Sequence, residues 1–478
     1  MFTALKAIGL APILFLIMFP AFANDGLTLR GGDGVVRTLP VDRQQIRFSY
    51  APLVKRIAPA VVNVYAARQV QQRRSPFAGD PFFEQFFGRN AFGAPRQRVS
   101  RSLGSGVIVS EDGLIITNHH VIKEADQVKV SLSDGREYAA EIRLIDKKSD
   151  LAVLQIDPGE VLPIVELGDS ENLLVGDLVL AIGNPFGVGQ TVTSGIVSAL
   201  ARSQNGVNDF GFFIQTDASI NPGNSGGALV SMDGALIGIN TAIFSRSGGS
   251  NGIGFAVPSN MVRVVLDSVR RGSSTLLRPW MGAQFQSVTA DIADSLGLDR
   301  PKGALVSGLA PNGPALDAGL KLGDIILQVD GKPVPHVDAL GYRLATAGIG
   351  RTVELSVLSK GQEKKLALVL DLAPETPARD VRKITGRSPF AGVTVANLSP
   401  RLAQEMEMDM NASGVVITSV DRRSQAARLG FQPRDVLVAI NDEPVESTSQ
   451  LLDLGVTRLQ VWSFVMERNG RRFERVLR

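Results

Sequence analysis

One stretch of this chain is written twice. Residues 303–334 read GALVSGLAPNGPALDAGLKLGDIILQVDGKPV and residues 414–445 read GVVITSVDRRSQAARLGFQPRDVLVAINDEPV. At a gapless offset of 111 residues, Gly303, Ala315, Gly319, Asp324, Pro333 and Val334 fall on Gly414, Ala426, Gly430, Asp435, Pro444 and Val445. The apolar positions between them match in character. Two copies are too few for a solenoid, whose units bury their faces only by stacking on several neighbours. The repeat therefore predicts two small globular modules, over 276–373 and 389–478, joined by a Pro- and charge-rich linker, 374–388.

The residues before 276 carry a different pattern. From Gly104 to Pro258, short β-rich runs alternate with Gly, Asp and Asn turns; examples are Leu114–Thr117, Leu151–Ile156, Leu178–Ile182, Thr191–Val197 and Ala235–Thr241. Short strands at this spacing, with no long helices between them, predict an all-β barrel or sandwich. The 49 glycines suit tight turns better than long helices. Met261, Val262, Val265, Leu266 and Val269 then recur at helical spacing until Gly272, with Ser259 placed as the N-cap. A domain over 45–272 follows, with a loop at 68–101 that carries six phenylalanines among arginines. That loop is too apolar for a solvated tether and reads as a docking loop.

Composition narrows the chemistry. The chain has 478 residues, 44% hydrophobic and 20% charged, so packed cores are expected and global disorder is not. A net charge of +3 gives no broad field for nucleic acid. With no cysteine, disulfides, thiolate catalysis and Cys-ligated metal sites are excluded. Lys6, the apolar run Ala7–Phe19 and Ala21-Phe22-Ala23 form a cleavable export signal, 1–23, too short to span a bilayer, and a polar arm follows over 24–44. No later run is long enough for a membrane anchor.

The strongest local motif is Asn221-Pro222-Gly223-Asn224-Ser225-Gly226-Gly227. Glycines around one serine let the backbone turn sharply, expose the hydroxyl and aim N–H groups at a developing oxyanion. Alone it is equally a Gly/Asn-rich hairpin turn. A serine nucleophile also needs a base and an orienting carboxylate. Thr117-Asn118-His119-His120-Val121 ends one strand run and Asp150 opens another, Leu151-Ala152-Val153-Leu154. The order His, Asp, Ser is that of chymotrypsin-type barrels. Neighbouring side chains point different ways, so only one of His119 and His120 faces Ser225. A metal site on the pair fails for the same reason, and only one further histidine, His336, exists.

Thr-Asn-x-His-Val, Asp-Leu-Ala-Val and Gly-Asn-Ser-Gly-Gly, followed by two repeats, resemble the HtrA/DegP/DegQ family of periplasmic serine proteases from about residue 45 to the end. The resemblance implies a mainly β, chymotrypsin/trypsin-like double barrel followed by two PDZ domains. It makes His120 the base, Asp150 the orienting acid and Ser225 the nucleophile, with Gly223, Asn224 and Ser225 at the oxyanion hole. His119 stands where the family usually has a small or amide residue. Ser219 and Ile220 fall at the S1 pocket, where Ser219 replaces a trypsin-like aspartate. Phe186 and Arg202 match the activation and sensor loops. Trp280, Met281 and Gly282 match the first PDZ carboxylate loop, and Phe390, Ala391 and Gly392 the second. The 68–101 loop lacks the cysteine pair of the DegP version and so leans toward DegQ. By the same resemblance the partners are unfolded or misfolded envelope proteins and peptide C-termini, the assembly is a homo-oligomer of trimers and larger cages, and no cofactor or metal is needed. The activity expected is ATP-independent, peptide-activated endoproteolysis; the rival is a chaperone-like holdase with a mostly latent protease.

Overall fold

The structure is a computed structural model that describes residues 28–30, 36–38, 49–70, 98–123, 125–184, 189–202, 212–221, 223–243, 250–386, 388–456 and 462–477. It divides into two compact units, Met1–Pro52 and Leu53–Arg478. In the first, Thr28–Arg30 and Val36–Thr38 pair as antiparallel strands. The expected export signal, most of the arm, and residues 71–97 of the Phe-rich loop lie outside the described residues. No described helix is long and apolar enough to cross a membrane.

The second unit begins with two closed six-stranded barrels. The first runs, neighbour to neighbour, through Val61–Val70, Arg98–Ile108, Leu114–Asn118, Leu151–Gln155, Glu137–Asp146 and Gln127–Ser131. The second runs through Thr191–Arg202, Phe213–Thr216, Gly254–Pro258, Leu236–Ile243, Ala228–Ser231 and Leu178–Gly183. Strand alternation sets which residues point inward: in Gln127–Ser131, Val128 and Val130 are buried between exposed Gln127 and Lys129. Leu114–Asn118 is buried along its whole length. One apolar cluster joins both barrels and takes in Met261, Val262, Val265 and Leu266 of the helix Ser259–Arg270. The expected cap is corrected: Pro258 occupies the N-cap position, and Ser259 Oγ instead donates to the Gly168 carbonyl at 2.9 Å, fastening the helix to the second barrel's flank.

The repeated stretch folds twice into the same antiparallel sheet. The first copy orders Ala283–Ser287, Ala304–Leu309, Ile325–Val329, Thr352–Ser359 and Gln362–Val369; the second orders Val393–Asn397, Val415–Val420, Val436–Ile440, Trp462–Arg468 and Arg471–Leu477. Coincident residues do coincident work. Ala315 and Ala426 are fully buried, where no larger side chain fits a close-packed interior without displacement. Asp324 Oδ2 accepts the Lys321 N–H at 2.9 Å, and Asp435 Oδ2 the Gln432 N–H at 2.8 Å, so each buried carboxylate closes the turn before its strand.

Of the segment expected as a linker, 374–388, residues up to Ile384 pack on the second module. Arg382–Lys383 pairs with Val393–Asn397 as an added strand, and Ile384 is buried in that module's core. Arg379 forks onto Glu375 and Glu405, and its carbonyl accepts the Asn397 N–H at 2.8 Å. The helix Val337–Ala347 of the first module has two apolar faces. Leu340 and Leu344 enter its own core, whereas Ala339, Tyr342 and Ala345 enter the barrel cluster. There Tyr342 stacks on Phe212 with centroids 3.8 Å apart, and Arg343 ion-pairs with Glu171.

Candidate active site

The buried strand Leu114–Asn118 runs directly into the short helix His119–Ile122, which places both histidines at the barrel rim. Asp150 faces them from the start of the neighbouring strand, with φ +57°. His120 N–H donates to Asp150 Oδ1 at 2.9 Å, and His120 Nδ1 lies 2.6 Å from Oδ2. The Asp150 carbonyl accepts the His119 N–H and the Asn118 side-chain amide, each at 3.0 Å. Thr241 of the second barrel donates its hydroxyl to Oδ2 at 2.6 Å. One carboxylate is thus fixed by both barrels with Oδ2 against Nδ1 of the imidazole, the arrangement in which a neutral ring would carry its proton on Nδ1 and leave Nε2 as acceptor. The His120 side chain is 46% exposed, open to an incoming chain. Beside it, burial pushes the His119 imidazole below its ordinary value, opposed by Asp150 and reinforced by Lys147, Lys123 and His120.

Ser225 sits on the glycine turn between the barrels. Asn224 N–H donates to the Asn221 carbonyl and Gly227 N–H to the Asn224 carbonyl, both at 2.9 Å. Gly226 has φ +84°, and a Cβ there would lie 2.0 Å from the Ser105 carbonyl oxygen, so no other residue fits. The Ser225 hydroxyl donates to the Thr241 carbonyl at 3.0 Å. Asn224, expected close by the oxyanion hole, has a framing place in the turn. Its N–H closes the turn on Asn221, and its wholly buried side chain packs against Gly183, leaving Gly223 and Ser225 as the amides of interest.

Ile220 is buried in the second barrel's core against Gly254, and Thr193 Oγ1 donates to the Ser219 carbonyl at 2.9 Å. Neither residue brings an acid to this wall. Phe186 and the side chain of Arg202 lie outside the described residues. At the first PDZ loop, Trp280 N–H donates to the Asp371 carbonyl, while the Met281 and Gly282 carbonyls accept from Ala315 and Ala310, each at 2.8 Å. Among the described residues, the Met281 and Gly282 N–H groups meet no acceptor in the chain. The second loop is a correction: Gly392 N–H donates to the Ile384 carbonyl at 2.9 Å and Ala391 N–H to the Ser388 carbonyl at 3.0 Å. Phe390 is buried among Phe431, Trp462 and Phe464. These residues form a packed corner rather than an open carboxylate cradle. Sequence reasoning missed Thr241 and Asn118, which anchor Asp150; Asn118, beside the histidine pair, carried a positional hint, and Thr241 carried none.

Residues 104–239 match the trypsin-like peptidase domain family, and residues 279–370 and 416–455 match PDZ domain families. Fold and site together define a trypsin-like serine endopeptidase that carries two PDZ domains. A probable periplasmic serine endoprotease DegP-like of Halomonas elongata is 42% identical over 425 residues, covering 85% of this chain and 87% of that protein. The periplasmic serine endoprotease DegP of Salmonella typhimurium is 38% identical over 429 residues, covering 84% and 86%. The HtrA-type protease AlgW solved with a decapeptide shares 45% identity with a TM-score of 0.52, covering 68% of this chain and 99% of that one. The chain belongs to the HtrA family of serine endoproteases. The leaning toward the DegQ branch rests on the missing cysteines alone.

Proposed function

We propose that Ser225 attacks the scissile carbonyl, that His120 takes its proton and later returns it to the leaving amine, and that Asp150 holds the imidazole tautomer. The Gly223 and Ser225 N–H groups would stabilise the tetrahedral oxyanion. The observation that carries this reading is the His120–Asp150 pair at 2.6 Å, with Thr241 on the same carboxylate oxygen. Substrates are unfolded or damaged proteins of the periplasm, reached after removal of residues 1–23. They are cut without ATP after small or branched aliphatic residues, since a wall of Ser219 and Ile220 gives a substrate Lys or Arg no counter-charge for its lost solvation. The active assembly is a homo-oligomer of trimers and larger cages, and a peptide C-terminus bound at the first PDZ domain activates it.

One observation favours the holdase reading as a second state of the same molecule. The Ser225 hydroxyl donates to the Thr241 carbonyl and must leave it before His120 can accept its proton. A resting enzyme in this arrangement binds chains without cutting them. The test is casein incubated with wild type and with Ser225→Ala, the products being read by mass spectrometry and binding by co-sedimentation. The variant is expected to lose hydrolysis while binding persists, with wild-type cuts falling mainly after Val and Ala. Sustained hydrolysis by pure Ser225→Ala would overturn the nucleophile, and cuts mainly after Lys or Arg would overturn the S1 reading.

A further inference from the structure

Ser105 lies on the first barrel's strand Arg98–Ile108 and is fully buried. Its Oγ donates to the Gly223 carbonyl at 2.6 Å and accepts the Asn184 N–H at 2.8 Å. Its N–H donates to the Ser225 carbonyl at 2.8 Å, and its carbonyl accepts the Thr117 hydroxyl at 2.7 Å. Three of these four bonds cross to the second barrel. Two of them end on Gly223 and Ser225, whose amides are the proposed oxyanion donors. The third ends on Asn184, the last described residue of the strand end that leads into Gly183-Asn184-Pro185-Phe186.

From this convergence we infer that Ser105 is a positioning residue for the oxyanion turn. Gly223 has φ +99° and no side chain, so nothing intrinsic to it resists rotation of the peptide that follows. The Ser105 hydroxyl supplies that resistance from outside by holding the Gly223 carbonyl. The same oxygen accepts the Asn184 amide, so the turn and the strand end are held by one atom. A hydroxyl is the smallest side-chain group that donates and accepts at once, which the fully buried site requires. Ser105→Ala would leave a buried carbonyl and a buried N–H unpaired, and both would relax toward other partners. The oxyanion donors would then be misplaced in the transition state while the ground-state substrate contacts stayed as they were.

This inference rests on the assignment of Ser225, Gly223 and the oxyanion hole proposed above, and its test separates the two. Full-length wild type, Ser105→Ala, Ser105→Cys and Ser225→Ala are compared on a short fluorogenic peptide with Val at the cleaved position. Affinities for a peptide boronate, which forms a tetrahedral adduct, and for the cleavage product are measured alongside. Losing one oxyanion donor outright typically costs about 100- to 1,000-fold, so a displaced hole is expected to lower kcat by roughly 10- to 100-fold in Ser105→Ala. KM and product affinity are expected to stay within about twofold, because the interaction lost is made only in the transition state. Boronate affinity should fall in step with kcat, and Ser105→Cys, with its weak S–H donor, should regain part of both. If Ser105→Ala folds poorly, the boronate-to-product affinity ratio of the near-isosteric Ser105→Cys carries the test. A kcat and boronate affinity within twofold of wild type in the folded variants would overturn the inference, as would a rise in KM with kcat unchanged. Hydrolysis surviving in Ser225→Ala would instead overturn the assignment beneath it.

Discussion

The two PDZ domains share a sequence skeleton and differ at the edge where a peptide would bind. Such domains take a peptide as an added strand and capture its terminal carboxylate in backbone amides. In the first, Ala283–Ser287 is the outermost strand of its sheet, and the loop before it keeps the Met281 and Gly282 amides unengaged among the described residues. In the second, the equivalent strand Val393–Asn397 is already paired on that side by Arg382–Lys383, and the Gly392 amide is engaged by Ile384. The chain's own segment occupies the position of a ligand strand. The repeat at 303–334 and 414–445 accounts for the shared core, but the segment that fills the second groove lies outside it. A second difference follows the same division. Among the described residues, the first domain is fastened to the barrels through largely buried partners, Tyr342 on Phe212, Arg343 on Glu171 and Arg278 on Asp146, whereas the second is joined to them by the more exposed Lys148–Glu407 pair.

The largest effect is expected from releasing the segment 379–384, the strap that pairs with the second domain's edge strand. Ile384→Pro deletes a buried side chain and the N–H that donates to the Val393 carbonyl at 2.9 Å. Loss of a core isoleucine with a strand bond is expected to destabilise the second domain by about 3–5 kcal/mol. It should also expose a second peptide-binding edge. Differential scanning calorimetry and peptide titration of the full chain check both; a variant as stable as wild type with unchanged stoichiometry would show that the strap does not close the groove.

A smaller effect, of opposite location, tests the fastening of the first domain. Arg278 lies 2.6 Å from Asp146 Oδ2, which also accepts the Ser149 N–H at 3.1 Å and the Ser149 hydroxyl. Asp146 thus closes the turn that leads to Asp150. Burial pushes the Asp146 carboxyl up, but Arg278 and Ser149 outweigh it and hold the group below its ordinary value. A depressed folded value means the stabilisation is complete above the unfolded carboxylate range and is lost as pH falls through the folded value, below about 4. Arg278→Ala leaves the buried carboxylate unpaired and is expected to cost about 3 kcal/mol at neutral pH. That gap should narrow as acid protonates Asp146, because a neutral carboxyl no longer needs the guanidinium. Melting curves of both proteins from pH 7 to 3 check the sign; a gap that widens in acid would show that Asp146 is not the group involved.

The sequence was legible where chemistry is written in short motifs or in periodicity. His120 and Asp150 stand in fixed local contexts and meet in the fold, the short β-rich runs pointed to a barrel or sandwich, the resemblance to a double barrel, and the offset of 111 residues to two repeated modules. What escaped was long-range or compositionally disguised. Thr241 reaches Asp150 across 91 residues, and no local feature marks it among other threonines. Ser105 stands close to Ser100 and Ser102 in a strand and shows its role only when the second barrel folds against it. The strap over 379–384 is charged and follows Pro374 and Pro377, which reads as a linker. Its pairing is decided instead by Ile384, one apolar residue that finds a core. Asn224 could be placed beside the hole from its motif, but its packing against Gly183 is likewise visible only in the fold.

The smallest effect decides the comparison itself, because it asks where a peptide binds. Gly282 has φ +68°, and a Cβ placed there would lie 2.9 Å from Gly313 Cα. Gly282→Val puts a β-branched residue into the left-handed region and against a neighbouring backbone, a strain of about 1–3 kcal/mol that the loop would relieve by moving. Moving displaces the Met281 and Gly282 amides from the position a carboxylate would take. The affinity of the full chain for a peptide with a free C-terminus should therefore fall by roughly 10- to 100-fold. Isothermal titration is expected to show one site per wild-type chain, since the second groove is filled, and that single site should be the one weakened. Two equal sites in wild type, or one site indifferent to Gly282→Val, would place the binding edge in the second domain and reverse the contrast. The peptide's C-terminal amide serves as the control: if the loop amides hold the carboxylate, amidation should weaken wild type and leave the already weakened Gly282→Val nearly unchanged, as expected of two changes acting on one interaction.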